Sequence, residues 1–286
     1  MVDVSGSSVL VTGGAGGLGE ATVRRLIGAG ASVIIGDVSA DRAGKLADEL
    51  GPKAKYVHTD VTDEASVLAA IEEAERLAPF RFAVVAHGGW GIAEKVVQKD
   101  GSPATLGGFT KTIDLYLVGT YNVLRLASAA IAKHDPDGDG QRGAVVMTAS
   151  IAGMEGQIGQ SAYAAAKAGV IGLTLVAARD LGTLGIRVVT IAPGTMRTPI
   201  MERVGDEALA KFAANIPEPE AARPPRGVRV ARPAHSRELL HQRRDDPAGR
   251  RAAHGRPVGS NPRSAGKLSV RNLARKRRFH GYRDAA

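Results

Sequence analysis

The sequence predicts an α/β fold in which helices cover both faces of one parallel, doubly wound sheet. Over the first 220 residues, short apolar runs rich in β-branched residues alternate with longer segments of helical periodicity, which is typical of repeated strand–helix units. The predicted strands do not alternate strictly between apolar and polar residues, as expected for strands buried on both faces. A chain of 286 residues is long enough to bury a sizeable core.

Six strands and five helices are predicted in this order along the chain. The strands lie near Ser8–Thr12, Ser32–Gly36, Lys55–His58, Phe82–Ala86, Ala144–Ala149 and Arg187–Ile191. The helices lie near Gly17–Gly28, Ala40–Leu50, Glu64–Leu77, Phe109–Lys133 and Ser161–Leu184. Because a doubly wound sheet binds its ligand at the carboxyl ends of its strands, motifs at those ends are the candidates for function.

A glycine-rich turn follows the first predicted strand, with the sequence Thr12-Gly13-Gly14-Ala15-Gly16-Gly17-Leu18-Gly19. Glycines let the backbone turn tightly and approach a pyrophosphate, which then binds the amide groups at the helix N-terminus. Such a turn by itself can be only a tight strand–helix connection. After the first strand of an alternating pattern, it predicts a dinucleotide site.

Carboxylates end the second and third predicted strands. Asp37 stands eighteen residues after Gly19, where a carboxylate accepts hydrogen bonds from the adenosine ribose and repels a 2′-phosphate, so NAD is favoured over NADP. Asp60 and Val61 end the third strand, where a carboxylate and an amide suit the adenine edge. The alternative for the segment from Asp60 to Asp63 is a helix N-cap, and the two roles are compatible.

A Ser, a Tyr and a Lys lie at the end of the fifth predicted strand and in the helix after it. Tyr163 and Lys167 are four residues apart and therefore share one helix face. A free phenol has a pKa of about 10, and a nearby ammonium lowers it so that the pair can exchange a proton. With Ser150 holding a substrate oxygen, these groups suit the interconversion of an alcohol and a ketone. The pattern Tyr-x-x-x-Lys alone also occurs in ordinary amphipathic helices.

These motifs share their order and spacing with the short-chain dehydrogenase/reductase family. The chain resembles that family over residues 7–200 through Thr12-Gly-x-x-x-Gly17-x-Gly19, Asp60-Val61, Ser150, Tyr163-x-x-x-Lys167 and Pro193-Gly194. Within the family, residues 117–126, 156–160 and 189–194 look most like the branch of type 2 3-hydroxyacyl-CoA dehydrogenases, which also accept hydroxysteroids. The resemblance implies a Rossmann-type sheet, an NAD-dependent oxidoreductase, and a homodimer or homotetramer.

The resemblance also implies a role for each matching residue. Tyr163 would be the general acid/base, Lys167 would lower its pKa and hold the ribose, and Ser150 would orient the substrate oxygen. The substrate would be a small molecule, either a 3-hydroxyacyl-CoA or a hydroxysteroid-like alcohol, bound by Ser150, Gln160 and Tyr163. No metal is expected. The dinucleotide would be lined by Gly13, Gly16, Gly17, Leu18, Gly19, Asp37, Asp60, Val61, His87, Gly88, Tyr163, Lys167, Pro193, Gly194, Met196 and Thr198.

Two positions depart from the family pattern. The family's Asn-Asn-Ala-Gly appears as Ala86-His87-Gly88-Gly89, where His87 would stack beside the adenosine or be a tolerated substitution in a segment that acts through its backbone. The family's helix-four Asn, which supports a water in the proton relay, is replaced by Tyr116. A dinucleotide-binding regulatory protein without turnover is therefore the second functional hypothesis. Trp90 and the insertion to about Gly108 would rim the substrate cleft or serve only for packing.

Residues 221–286 differ in composition from the rest of the chain. They hold 18 Lys and Arg, 16 of them Arg, against 4 Asp and Glu, whereas the net charge of the whole chain is only +9. Periodicity also stops there. We therefore predict an NAD-binding catalytic domain over residues 1–220 and an Arg- and Pro-rich, irregular tail over 221–286. A nucleic-acid-binding arm is the less favoured alternative.

The family's seventh strand has no counterpart in this tail. Reading Gln242–His254 in a frame shifted by one nucleotide permits a sequence similar to that strand, and the same shift over Ala221–Glu238 permits one similar to the preceding helix. We hypothesise that a one-nucleotide frame change between about Pro217 and Ala221 has replaced the C-terminus. The sheet is then expected to have six strands.

Composition restricts the remaining function classes. The chain has no cysteine, which excludes disulfides and thiolate metal sites. We find no run of about 18 apolar residues that would span a membrane, and the first residues lack the basic and apolar segments of a signal peptide. A cytoplasmic protein is expected.

Overall fold

The computed structural model describes residues 3–89, 91–194, 196 and 198. In this part of the chain, six strands form one parallel sheet in the order β3-β2-β1-β4-β5-β6. The sheet is doubly wound, because the chain steps outward from β1 to β3 and then returns to place β4 on the other side of β1. The strands are β1 (Ser8–Thr12), β2 (Ser32–Asp37), β3 (Ala54–His58), β4 (Phe80–Val85), β5 (Gly143–Thr148) and β6 (Ile186–Ile191).

Helices connect successive strands and cover both faces of the sheet. A π-helical turn, Asp114–Val118, joins α4 to α5, so that three elements form one continuous helical segment between β4 and β5. The helices are α1 (Gly17–Gly28), α2 (Ala40–Leu50), α3 (Glu64–Leu77), α4 (Leu106–Ile113), α5 (Gly119–Ile131), α6 (Ala152–Glu155) and α7 (Ser161–Gly182).

The core consists of two apolar clusters, one on each face of the sheet. Leu10 of β1 belongs to the cluster formed with α3, α5 and α7. Its neighbours Val9 and Val11 belong to the cluster formed with α1 and α2. Since adjacent residues of a strand point to opposite faces, this division explains why the predicted strands lack apolar–polar alternation.

The predicted Rossmann-type architecture is confirmed, and the six strands lie within two residues of their predicted bounds. The single regular helix predicted over Phe109–Lys133 is wrong, because the π-helical turn interrupts it and the helical segment begins at Leu106. Helix α6 was not predicted, since one short turn leaves no periodicity. The boundary near residue 220, the tail over 221–286 and its frame change lie outside the described residues.

Among the described residues, helix α7 is the one helix that is long and apolar enough to be a candidate membrane span. By length and composition it could cross a membrane. Its most apolar stretch of 18 residues has a mean hydropathy of 1.4, and 28% of that stretch is buried. A single helix of this kind is weak evidence for a span, because helices that pack in a core have the same properties. Val170 and Ala177 of α7 belong to the core cluster.

Candidate active site

The candidate site lies at the carboxyl ends of β1, β2, β4 and β5, around the topological switch between β1 and β4. A glycine-rich turn and the Asp37 carboxylate from the first two strands meet side chains that follow the last two strands. This is where an open α/β sheet places its ligand.

The glycine turn after β1 has no room for side chains. Gly13 has φ +64°, and a Cβ there would lie 2.4 Å from the Cα of His87. A Cβ on Gly19 would lie 2.0 Å from the carbonyl oxygen of Gly13. These contacts require glycine, because they bring the turn against both the start of α1 and the segment after β4.

Helix α1 begins at Gly17 directly after this turn, and its N-cap, Gly16, provides no side-chain hydrogen bond. The first N–H groups of a helix have no partner within the helix. Together with the positive end of the helix dipole, they form a donor set suited to a phosphate. Leu18 lies half-buried in the same turn. The residues present therefore fit the pyrophosphate of a dinucleotide.

Asp37 ends β2 and is only 6% exposed. Its Oδ2 accepts a hydrogen bond from the Ala15 amide at 3.0 Å, and its Oδ1 accepts one from the Ser39 amide at 2.9 Å. The carboxylate thus fastens the glycine turn to β2, a contact that the sequence did not indicate. Each carboxylate oxygen retains a lone pair, so the group fits the predicted ribose as well.

The turn after β3 confirms the N-cap alternative, and it is Asp63 that caps. Asp63 is the N-cap of α3 and accepts from the Ala65 amide at 3.0 Å. The carboxylate of Asp60 instead accepts from the amide and hydroxyl of Thr62, and these hydrogen bonds lower the pKa of Asp60. Asn122 of α5 donates to the Val61 carbonyl at 2.9 Å and so fixes the segment expected at the adenine.

His87 follows β4 and is turned inward, with 9% of its surface exposed. Its Nε2 lies 3.1 Å from the Leu115 carbonyl, which can only accept, so Nε2 carries the proton. Its Nδ1 then accepts from the Thr12 hydroxyl at 3.0 Å. Burial, and secondly the charge of Lys167, lower the pKa of His87 to about 3. This neutral ring bridges β1 and the π-helical turn, which argues against stacking on adenosine.

Ser150, Tyr163 and Lys167 come together beside the end of β5. The Ser150 hydroxyl accepts from the Ala152 amide at 3.2 Å and lies near enough to the Tyr163 phenol to lower its pKa. Lys167 is 3% exposed, and its Nζ donates to the Thr148 carbonyl at 2.6 Å. That carbonyl was missed at the sequence level, because a backbone acceptor has no residue signature.

The pKa values of the pair differ from the expectation in one respect. Burial raises the pKa of Tyr163, and the nearby Ser150 hydroxyl opposes that rise only in part. The predicted lowering by Lys167 therefore does not dominate, because the ammonium lies 5.8 Å from the centroid of the Tyr163 ring. Burial also lowers the pKa of Lys167 to about 8.

Tyr116 occupies the centre of this cluster. It lies in the π-helical turn and is 2% exposed. Its ring packs edge-on against Tyr163 with centroids 5.0 Å apart, and the Nζ of Lys167 lies 4.7 Å from its centroid. The hydroxyl accepts from the Gly89 amide at 2.8 Å and donates to the Gly89 carbonyl. The sequence marked this residue only as a departure from the family.

The remaining predicted residues lie around this edge of the sheet. Pro193 accepts through its carbonyl from the Ile151 amide at 3.2 Å, which places the segment after β6 beside Ser150. Gln160 is the N-cap of α7 and makes no side-chain capping bond. Gly194 is exposed, whereas Met196 and Thr198 are half-buried. Trp90 lies outside the described residues.

Comparison with known proteins places the whole described site within one family. A family model described as short chain dehydrogenase matches residues 7–208. The 3-hydroxyacyl-CoA dehydrogenase type-2 of Drosophila melanogaster is 43% identical over 212 residues, covering 74% of this chain and 83% of that protein. The protein of the same name from Bos taurus is 40% identical over 217 residues, covering 76% of this chain and 83% of that protein.

A solved structure is similar over the same part of the chain. The crystal structure of 3-hydroxyacyl-CoA dehydrogenase type-2 from Mycobacterium avium has a TM-score of 0.76 and 67% sequence identity. The match covers 77% of this chain and 86% of that one. Sequence and fold thus identify the same relatives.

Proposed function

The chain belongs to the short-chain dehydrogenase family and is an oxidoreductase for a secondary alcohol, and we propose that it uses NAD and Tyr163. The observation that carries this proposal is the convergence of Ser150, Tyr163 and Lys167 beside a glycine turn that fits a dinucleotide. The product would be a ketone, formed with one hydride transferred and one proton released.

NAD supplies the hydride acceptor when it is bound, and the chain positions the alcohol and moves its proton. Ser150 holds the substrate oxygen through its hydroxyl. Tyr163 takes the hydroxyl proton in oxidation and returns it in reduction. Lys167 is largely an ammonium at neutral pH, because burial lowers its pKa only to about 8, and its charge favours the phenolate of Tyr163 in the reaction.

The preference for NAD over NADP is proposed from Asp37. Its carboxylate is held at the end of β2 by two amides. A fixed negative charge there accepts from ribose hydroxyls and repels a 2′-phosphate. The backbone of Gly88, Pro193 and Gly194, with Met196 and Thr198, is proposed to line the rest of the cofactor.

The proposed substrate is a 3-hydroxyacyl-CoA or a hydroxysteroid-like alcohol. The support is the name of the relatives described above. A small depression also lies beside the N-terminus of α7. Apolar and polar groups line it: Ile92, Glu94, Ala104, Thr105, Phe109, Ser161 and Ala162. Gln160 precedes this surface and is proposed to contact the substrate.

The test is NADH formation by the purified protein with 3-hydroxybutyryl-CoA, after calorimetry has shown that NAD binds. We expect turnover with NAD and much less with NADP. A hydroxysteroid serves as the second substrate and separates the two substrate classes. Tight NAD binding without turnover on either alcohol would contradict the enzyme and favour the alternative, a dinucleotide-binding regulatory protein. Tyr116 is the observation that favours this alternative.

We also propose that the chain forms a homo-oligomer through α5 and α7. Both helices expose large apolar side chains, including Tyr121 of α5 and Leu175 and Val176 of α7, which are 51%, 49% and 58% exposed. Exposed apolar clusters are typical of interfaces. Light scattering should give a dimer or larger species that Val176→Arg dissociates. A monomeric wild-type protein would contradict the interface.

The frame change is retained as a proposal about residues 221–286. The family match ends at residue 208, shortly before the composition changes. The shifted reading frame of the gene should encode a seventh strand without a stop codon. A stop codon within that frame would refute the proposal.

A further inference from the structure

We propose that Tyr116 is a positioning residue that holds the Lys167 ammonium on the face of its ring and ties Lys167 to the turn after β4. This inference rests on the proposed oxidoreductase function and adds a residue to its site. The family resemblance places an Asn at this position, so the family pattern does not supply this arrangement.

The π-helical turn places Tyr116 between the catalytic helix α7 and the segment after β4. An extra residue in a helical turn changes the direction in which the following side chains point, and such turns are frequent at functional sites. The buried ring meets Tyr163 edge-on at an interplanar angle of 82°. Tyr116 therefore restricts the orientation of the proposed acid/base.

The ring of Tyr116 is also the nearer of two aromatic faces at the Lys167 ammonium. The Nζ lies 4.7 Å from the Tyr116 centroid and 5.8 Å from that of Tyr163. A cation on an aromatic face is stabilised in its charged form, which opposes the effect of burial on the Lys167 pKa. The other titratable groups at this cluster are Tyr163, whose pKa is raised by burial, and His87, which stays neutral because burial and then the Lys167 charge lower its pKa.

The hydroxyl of Tyr116 makes a separate contact. It both accepts from and donates to the backbone of Gly89, while a Cβ on Gly88 would lie 3.3 Å from the ring. The segment expected at the dinucleotide is thereby fixed to the same side chain that holds Lys167. Burial raises the pKa of Tyr116 to about 12, so this hydroxyl remains protonated. It therefore holds the Gly89 backbone in place and does not exchange a proton in the reaction.

Because the ring and the hydroxyl of Tyr116 have different partners, two substitutions can separate their contributions. Tyr116→Phe keeps the aromatic face and removes the bonds to Gly89. Tyr116→Leu removes both and keeps the site apolar, and Tyr116→Met is a second ringless variant if the Leu variant does not fold. Tyr56→Leu on β3 is the matched control, since Tyr56 lies on the edge strand outside the site.

The experiment combines the pH dependence of kcat and KM with an NMR titration of Lys167 in the protein without substrate, using 13C-labelled lysine. The Lys167 signal is assigned by its loss in Lys167→Arg. For Tyr116→Phe we expect the wild-type Lys167 pKa, kcat within about threefold and a raised KM for NAD. For the ringless variants we expect a Lys167 pKa lower by about one unit and kcat reduced about tenfold.

Equal Lys167 pKa values in the wild-type, Phe and ringless proteins would overturn the proposal and leave Tyr116 as a packing residue. The titration requires no turnover, so its result stands if the enzyme assay fails. Binding of NAD without turnover would then refute the proposed function, whereas an unshifted Lys167 pKa refutes the role of Tyr116.

Discussion

The β1–β2 half of the site depends on close backbone contacts held by the Asp37 carboxylate, whereas the β4–β5 half depends on side chains packed against one another. At β1, Gly13 and Gly19 leave no room for a Cβ, and Asp37 fastens the turn through an amide. At β4 and β5, Tyr116 and Lys167 form a buried cluster with their neighbours. Both departures from the family pattern fall in the second half.

This difference indicates where a site of this kind tolerates change. A backbone site requires glycine at fixed positions, because any side chain would collide with the main chain. A cluster of packed side chains can accept a substitution if the new side chain makes hydrogen bonds or packing contacts that replace the lost ones. His87 stands at one of the departures from the family pattern, and its ring hydrogen bonds to the Thr12 hydroxyl and to the Leu115 carbonyl.

The largest expected effect is a loss of turnover caused by a substitution in the β4–β5 half of the site. Tyr163→Phe removes the proposed proton acceptor and keeps the ring that packs on Tyr116. We expect kcat to fall by roughly 10³-fold, while NAD binding measured by calorimetry stays within a few-fold of wild type. Turnover within tenfold of wild type would exclude Tyr163 as the general acid/base.

The next largest effect is a loss of stability caused by a substitution in the β1–β2 half of the site. Gly13→Ala forces a side chain into a position with φ +64° and 2.4 Å from the His87 Cα, so we expect a loss of about 3 kcal/mol in the free energy of unfolding. Gly44→Ala is the matched control, since its Cβ meets nothing within 4 Å and alanine favours the helix. Urea denaturation that shows equal stabilities for the two variants would contradict this account.

A smaller effect concerns cofactor choice in the backbone half. Asp37→Ser removes the negative charge and keeps a hydroxyl near the Ala15 and Ser39 amides. We expect the ratio of kcat/KM for NAD to that for NADP to fall by about ten- to a hundredfold. Steady-state kinetics with both cofactors measure this ratio. An unchanged ratio would place the determinant of cofactor preference elsewhere.

The smallest effect, when it is taken per pH unit, is the dependence of stability on the protonation of His87. The folded pKa of His87 is about 3, below the ordinary histidine value of 6.5, so the unfolded chain binds the proton first as the pH falls. The contribution of His87 to stability is therefore fully present above about pH 6.5 and is lost towards pH 3, by up to about 1.4 kcal/mol per pH unit.

Urea unfolding at a series of pH values tests this slope. His87→Asn cannot titrate, so its stability should fall less steeply below pH 6.5 than that of the wild type. The difference between the two slopes removes the contribution of other acidic groups. Parallel slopes would show that His87 is not buried as a neutral ring.

The sequence predicted the elements that depend on local pattern. Strand bounds followed from apolar runs, and α1, α2 and α3 have their predicted ends. These ends depend on local signals such as the Asp63 N-cap, which bonds the Ala65 amide two residues away. The π-helical turn was not predictable from periodicity, since its extra residue is accommodated by packing around Tyr116.

By itself, the sequence determined the α/β class, the glycine turn and the candidate residues Ser150, Tyr163 and Lys167, because each depends on residue type at fixed spacing. Only the tertiary structure decided how these groups are held. The bridge made by His87 and the ring face of Tyr116 at Lys167 join segments that are distant along the chain. Such contacts depend on burial and on backbone acceptors, which residue spacing does not encode.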